Sequence, residues 1–161
     1  MIRPWNIWRR RSSRKSVSFE IAGSPQSKTR PRVVRAKNGA NLTYMPDKTV
    51  AYEELVRPYF KAAAQEFRFA NDAQLTRQIV ACYPVPKSKS KRVTAERLSC
   101  VLHHTKKLGC DNIVKIICDA LNELAYKDDS QIVTTQIAKY YAEVPRMFVK
   151  MIEIHCTEIS R

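Results

Sequence analysis

The stretch GCDNIVKIICDALNELAYKDDS, residues 109–130, carries the pattern that decides the fold. At about 100° per residue, its apolar residues share one helical face and its polar residues share the opposite face. The apolar face holds Ile113, Ile116, Ile117, Ala120, Leu121 and Leu124. The polar face holds Asp111, Lys115, Asp119 and Asn122. The pattern predicts an amphipathic helix with its back in a core and a charged face turned outward.

A loop with two more acids, Asp128 and Asp129, follows this helix and leads into a predicted strand at residues 131–133. Acids at a helix start and at a strand start can meet in space, and carboxylate oxygens are ligands that suit Mg²⁺. Lys115 is placed one turn after Asp111, where an ammonium can stabilise charge that develops on a phosphate. The stretch therefore predicts a metal site that acts on phosphates. Asp111 has a second interpretation as the N-cap of its own helix, a position that favours aspartate.

The overall composition favours a basic, nucleic-acid-binding protein. The chain has 161 residues, enough for one domain with its own core, and a formal net charge of +14. Such an excess favours nucleic acid as the partner, with an anionic membrane surface second. Five cysteines without a C-x-x-C pair predict free thiols, and we expect a cytoplasmic protein with no membrane span. Three glycines form no phosphate-binding loop, so we expect no nucleotide cofactor.

Basic residues cluster in several segments. Residues 1–16 are predicted to be a disordered basic arm. Asn38-Gly39 predicts a hairpin between strands at residues 32–36 and 42–45, and a second cluster at residues 87–92 leads into a short helix. We expect DNA-phosphate contacts from Lys28, Arg30, Arg32, Arg35, Lys87, Lys89, Lys91, Arg92, Lys106 and Lys107. The alternative is that the hairpin and the arm are only solvated and do not contact DNA.

The remaining pattern predicts an α+β class, a mixed β-sheet backed by helices, within one domain at residues 17–157. Further strands are predicted at residues 17–23, 74–83, 131–143 and 146–155, with the second of these central and the last two joined by a short turn. A helix is predicted at residues 46–67, with a kink or break at Pro58. Its predicted buried stripe is Val50, Leu55, Val56, Tyr59, Phe60 and Ala63.

A zinc site is a competing interpretation. The candidate ligands are His103, His104, Cys110 and Cys118. Their spacing matches no structural zinc pattern, which favours the carboxylate site.

Several short motifs resemble the RusA family of Holliday junction resolvases. They are HTKK at residues 104–107, DN at 111–112 with Lys115, DALN at 119–122 and AYKDDSQI at 125–132. The N-terminal half adds GSP at residues 23–25 with Lys28, Arg30 and Arg32, then Tyr44 and Pro46 before Tyr52. The resemblance covers roughly residues 17 to 154.

The resemblance implies a homodimeric, Mg²⁺-dependent endodeoxyribonuclease, with Mn²⁺ as the alternative ion, of a type often encoded by prophages. Such enzymes bind four-way DNA junctions and resolve them by paired symmetric nicks in DNA recombination and repair. By match to the motifs, Asp111 and Asp129 are metal ligands and catalytic residues, and Asp128 accompanies them in the metal site. Lys115 is the catalytic lysine by the same match.

One position departs from the family pattern Lys-Pro-Asp-x-Asp-Asn. This chain has Lys107-Leu108-Gly109-Cys110-Asp111-Asn112, so Gly109 stands where the family has its first metal-binding aspartate. Loss of a supporting residue around a metal commonly costs about 10–100-fold in metal affinity or activity, and a direct ligand should cost more. Two hypotheses follow: a junction nuclease weakened by Gly109, or a catalytically inactive junction-binding protein of the same fold. A basic, RNA-associated structural protein is a third.

Overall fold

The computed structural model describes residues 15–88, 90–100, 102–105 and 109–154. The strands are β1 (Ser16–Ala22), β2 (Arg32–Arg35), β3 (Asn41–Tyr44), β4 (Gln74–Pro84), β5 (Ile132–Ala142) and β6 (Arg146–Ile154). The helices are α1 (Asp47–Ala64), α2 (Lys91–Leu98) and α3 (Cys110–Leu121), and a 3₁₀ turn at Asp129–Gln131 precedes β5. Most of the predicted arm lies outside the described residues. Ser16, the last residue of the predicted arm, begins β1.

The main sheet is mixed, as predicted for the α+β class. Its strand order is β1-β6-β4-β5, with β4 parallel to β5 and antiparallel to β6. The central position predicted for β4 is therefore confirmed. The last two strands are joined by residues 143–145 as expected, but they are not neighbours, because β4 lies between them.

The predicted basic hairpin is confirmed as a separate two-stranded sheet of β2 and β3. Its turn is closed by hydrogen bonds from the Ala36 N–H to the Ala40 carbonyl and from the Gly39 N–H to the Ala36 carbonyl, and Gly39 has a φ of +85° that favours glycine. All eight strand residues are exposed in the described structure.

Helix α1 differs from its prediction in two respects. It ends at Ala64 rather than near Phe67, and it continues through Pro58, so the break that was one of the two predicted outcomes does not occur. Its buried stripe is rotated from the predicted one, since Val50 and Leu55 are each 40% exposed. The buried residues are Thr49, Tyr52, Val56, Phe60 and Ala64.

The core lies between the main sheet and the helices α1 and α3. Ile113, Ile116 and Ile117 of α3 are all 0% exposed. Each fully buried isoleucine stabilises the fold by roughly 1.5–3 kcal/mol, so this apolar stripe fixes the rotation of α3. In the part of the chain that the structure describes, no helix is both long and apolar enough to cross a membrane.

Candidate nuclease site

The polar face of α3 is turned outward because its opposite face is held in the core. Asp111, Lys115 and Asp119 are exposed and stand at successive turns of this face. The amphipathic helix predicted from the sequence is therefore confirmed. The face carries two carboxylates with one ammonium between them.

The N-terminus of α3 is capped by Gly109, which corrects the interpretation of Asp111 as the N-cap. Asp111 lies in the first turn, where the helix dipole favours a carboxylate. Gly109 has φ −58° and ψ 145°, a conformation open to any residue. A Cβ added there would overlap a carboxylate oxygen of Asp111. Asp111 thus occupies the space into which a longer side chain at position 109 would extend.

The acidic doublet lies in the 3₁₀ turn rather than in an irregular loop. Asp128 is the N-cap of this turn and accepts a hydrogen bond from the Ser130 backbone N–H at 3.0 Å. Hydrogen bonds from the Ser130 side chain and from its backbone N–H lower the pKa of the exposed Asp128 carboxyl. The Gln131 side chain accepts from the Lys127 N–H at 2.8 Å and donates to the Ala70 carbonyl at 2.8 Å. The turn that carries Asp129 is therefore tied to the segment before β4.

The segment before the doublet contacts the later turns of α3, whereas Asp111 lies in the first turn. The Tyr126 hydroxyl donates to the Cys118 carbonyl at 3.1 Å, which holds the segment before the doublet against the last turns of the helix. Burial and the nearby Cys118 thiol raise the pKa of Tyr126, with smaller contributions from Asp129 and Asp119. Asp111 is in the first turn, seven residues before Cys118, which corresponds to about 10 Å along the helix axis. The contact that holds the segment before the doublet is therefore made about two turns after Asp111.

No group of three histidine, cysteine, aspartate or glutamate side chains converges among the described residues. The expected meeting of Asp111, Asp128 and Asp129 is thus not found within one chain, and their roles as ligands stay predictions. The candidate zinc ligands likewise do not converge among the described residues. His104 stacks on Tyr83 with ring centroids 4.0 Å apart, and Cys118 accepts a hydrogen bond from the buried Arg77 at 2.7 Å. Cys82, Cys100, Cys110 and Cys118 are free thiols, as predicted.

Apart from Lys28, the basic residues predicted to contact DNA fall into three sets. Arg30, Arg32 and Arg35 are exposed on the segment after β1 and on the hairpin. Lys87, Lys91 and Arg92 are exposed before and within α2, and Arg92 pairs with Glu96 at 3.1 Å. Lys89, Lys106 and Lys107 lie outside the described residues.

Lys28 is placed differently from the other basic residues. Its ammonium is 3.3 Å from a Glu53 carboxylate oxygen and forms a second ion pair with Asp119. Burial alone would lower the pKa of Lys28, but the hydrogen bonds and charges of Asp119 and Glu53 raise it. No local sequence pattern singled out Glu53 as a partner of Lys28. Asp119 was visible only as a member of the polar face of α3.

Comparison with known proteins confirms the resemblance. The family described as Endodeoxyribonuclease RusA matches residues 22–152 of this chain. The chain is also similar to a protein of Bacillus subtilis (strain 168) named Uncharacterized protein YqaN. The two are 30% identical over 138 residues, which cover 86% of this chain and 96% of that protein. The chain therefore belongs to the RusA family of endodeoxyribonucleases, whose members act on Holliday junctions.

Proposed function

We propose that this chain is a cytoplasmic, Mg²⁺-dependent endodeoxyribonuclease that resolves Holliday junctions by paired symmetric nicks, with activity weakened by Gly109. The observation that supports this is the outward face of α3 in a member of a junction-nuclease family. There Asp111 and Lys115 are exposed one turn apart on a strongly basic protein. Carboxylate donors of this kind suit Mg²⁺.

Each residue would have a distinct part in the reaction. Asp111 and Asp129 would hold the ion, which when bound supplies an activated water and a polarised phosphoryl oxygen. Asp128, through its hydrogen bond to Ser130, sets the direction of the turn that carries Asp129. Lys115 would stabilise the negative charge that develops on the phosphate. The exposed arginines of the hairpin and the basic residues at α2 would grip the junction arms.

We infer that the active form is a homodimer. Asp111 and the doublet do not form a group of converging ligands among the described residues of one chain, and a second copy would supply the missing carboxylate. A two-fold dimer would present two identical sites to a junction that itself has two-fold symmetry. Asp111 of one copy and Asp129 of the other would then hold the same ion.

Mixing two inactive variants tests both the metal ligands and the shared site. Asp111→Asn and Asp129→Asn should each bind a labelled four-way junction and fail to nick it. Mixed dimers of the two variants would contain one complete shared site, so the mixture should nick one strand in the presence of Mg²⁺. A site built within one chain would leave the mixture inactive. Junction binding without any nicking by the unaltered protein, in Mg²⁺ or Mn²⁺, would overturn the nuclease proposal.

The second candidate is a junction-binding protein without catalysis, and Gly109 is the observation that favours it. Removing a carboxylate lowers negative charge near the phosphates, so binding should suffer less than cutting. This candidate predicts selective binding of junctions over duplex DNA, without nicking. RNA as a competitor at the same salt separates both candidates from an RNA-associated role, because shape selectivity persists at salt concentrations that abolish simple charge attraction.

A further inference from the structure

The segment between β1 and β2 is attached to two helices at Lys28 and Thr29. The Lys28 backbone N–H donates to the Asn112 carbonyl of α3 at 2.9 Å. The Thr29 hydroxyl is 2.7 Å from the Thr49 hydroxyl of α1. The Lys28 side chain adds ion pairs to Glu53 of α1 and Asp119 of α3. These contacts fix the segment over the boundary between the helices.

The Lys28 ammonium is already paired with two carboxylates. Its side chain is only 26% exposed, and the carboxylates of Glu53 and Asp119 are 21% and 42% exposed. Partly buried ion pairs are screened less by salt than fully exposed ones. A phosphate would have to compete with two carboxylates for this ammonium, whereas Arg30 and Arg32 are exposed.

The attachment also determines where the basic segment begins. Arg30 is two residues after Lys28, so their Cα atoms are at most about 7 Å apart. Lys28 is bonded to Asn112, the residue after Asp111. Arg30 therefore lies close to the N-terminal half of the polar face of α3, and Arg32 follows two residues later.

We propose that Lys28 is a positioning residue that, through Asp119 and Glu53, holds Arg30 and Arg32 beside α3 so that a bound DNA strand passes Asp111 and Lys115. This role rests on the proposed function. It reassigns Lys28 from a phosphate contact to a group that acts through two carboxylates. Asp119 then assists DNA binding although it is an acid.

The substitution Asp119→Asn separates the two roles of Lys28. If Lys28 binds a phosphate directly, removing a nearby acid leaves junction affinity unchanged or raises it. If Lys28 positions the arginines, Asp119→Asn weakens binding because the ammonium loses a partner. Losing the two arginine contacts would lower affinity and reduce the salt slope by about 2, so the affinity gap to the unaltered protein would shrink about tenfold between 50 and 200 mM salt.

The experiment measures junction binding by fluorescence anisotropy over a salt series with the full chain. The variants are Lys28→Met, Asp119→Asn, their double variant and Lys28→Arg, with Glu54→Gln and Lys61→Met as exposed α1 controls. We expect Lys28→Met and Asp119→Asn to show the same loss of junction affinity and the same reduction in salt slope. The double variant should bind no more weakly than either single variant, because the two residues act as one unit. Lys28→Arg should restore most of the affinity, and the controls should behave like the unaltered protein.

Hydrogen exchange of the free protein supplies a readout independent of DNA. The Lys28 amide should exchange faster in Asp119→Asn than in Glu54→Gln, since its segment is released from α3. Unchanged protection of this amide, or unweakened junction binding by Asp119→Asn, would overturn the positioning role. Absence of junction binding by the unaltered protein would overturn the proposed function instead, and exchange alone would then decide whether Asp119 holds the segment.

Discussion

Replacing Gly109 with aspartate should increase nicking while leaving the fold intact. The backbone at Gly109 suits any residue, so the substitution brings no conformational strain. The new Cβ would displace the Asp111 carboxylate, which is exposed and can rotate. Besides Asp111, the nearest residue to the new Cβ is Asn112, whose side-chain nitrogen is 3.6 Å away, an ordinary van der Waals contact.

The expected changes in stability nearly cancel. Aspartate is better than glycine at an N-cap by a few tenths of a kcal/mol, and the helix dipole adds about 0.3–1 kcal/mol. Repulsion between two exposed carboxylates about 4 Å apart costs about 1 kcal/mol. The melting temperature should therefore change by at most about 2–4 °C. A divalent ion would relieve the repulsion, so Mg²⁺ should raise the melting temperature of the variant more than that of the unaltered protein.

The assay is nicking of a labelled four-way junction over a Mg²⁺ series, with Gly109→Asn as the matched control. Asparagine caps a helix as well as aspartate but carries no charge. We expect Gly109→Asp to nick at least about 10–100-fold faster than Gly109→Asn, the usual scale for a residue that supports a metal. If Gly109→Asp folds and binds the junction but nicks no faster than Gly109→Asn, position 109 has no part in holding the ion.

Three further predictions concern α3 and the turn after it. Lys115→Met should reduce nicking by about 100-fold or more while junction affinity changes little, because its charge acts on the transition state; Lys61→Met is the control, and equal losses in both variants would contradict this role. Tyr126→Phe should lower the free energy of unfolding in a denaturant titration by about 1 kcal/mol, since the Cys118 carbonyl loses its hydrogen-bond donor; an unchanged midpoint would contradict the importance of that bond. Asp128 has a pKa below 3.8 in the folded state, so the native state binds fewer protons there. Its contribution to stability is present above pH 3.8 and is lost as the pH falls through the folded pKa, and Asp128→Asn, which can still cap the turn, should flatten this part of the pH–stability curve.

The sequence predicted elements whose patterns are local. Helix α3 has a strict helical period with isoleucines on one side, so its exposed face could be assigned without coordinates. The hairpin followed from Asn38-Gly39, whose glycine takes the positive φ that the turn requires. Both predictions depend on neighbours within a few residues.

Other features depend on contacts between distant segments. The stripe of α1 was misjudged because Val50 and Leu55 are large and apolar, yet the packed face uses Thr49 and Tyr52, at 2% and 6% exposure. Thr49 is buried, and its hydroxyl contacts the hydroxyl of Thr29, which belongs to another segment. Lys28 and Asp119 are 91 residues apart in the chain, and nothing local pairs them. The distance between Asp111 and the doublet likewise depends on how the chain leaves α3.

The position of β6 between β1 and β4 has a consequence for synthesis of the chain. Ala22 at the end of β1 pairs with Arg146 at the start of β6, so the first strand finds its neighbour only 124 residues later in the chain (146 − 22). At about 5–20 residues per second, roughly 6–25 s pass between the synthesis of β1 and that of β6, and the hydrogen-bonding edge of β1 has no strand beside it in that time. The sheet therefore closes only after β6 has been translated. A stop codon before residue 146 would leave β1 without a strand beside it and β4 at an open edge.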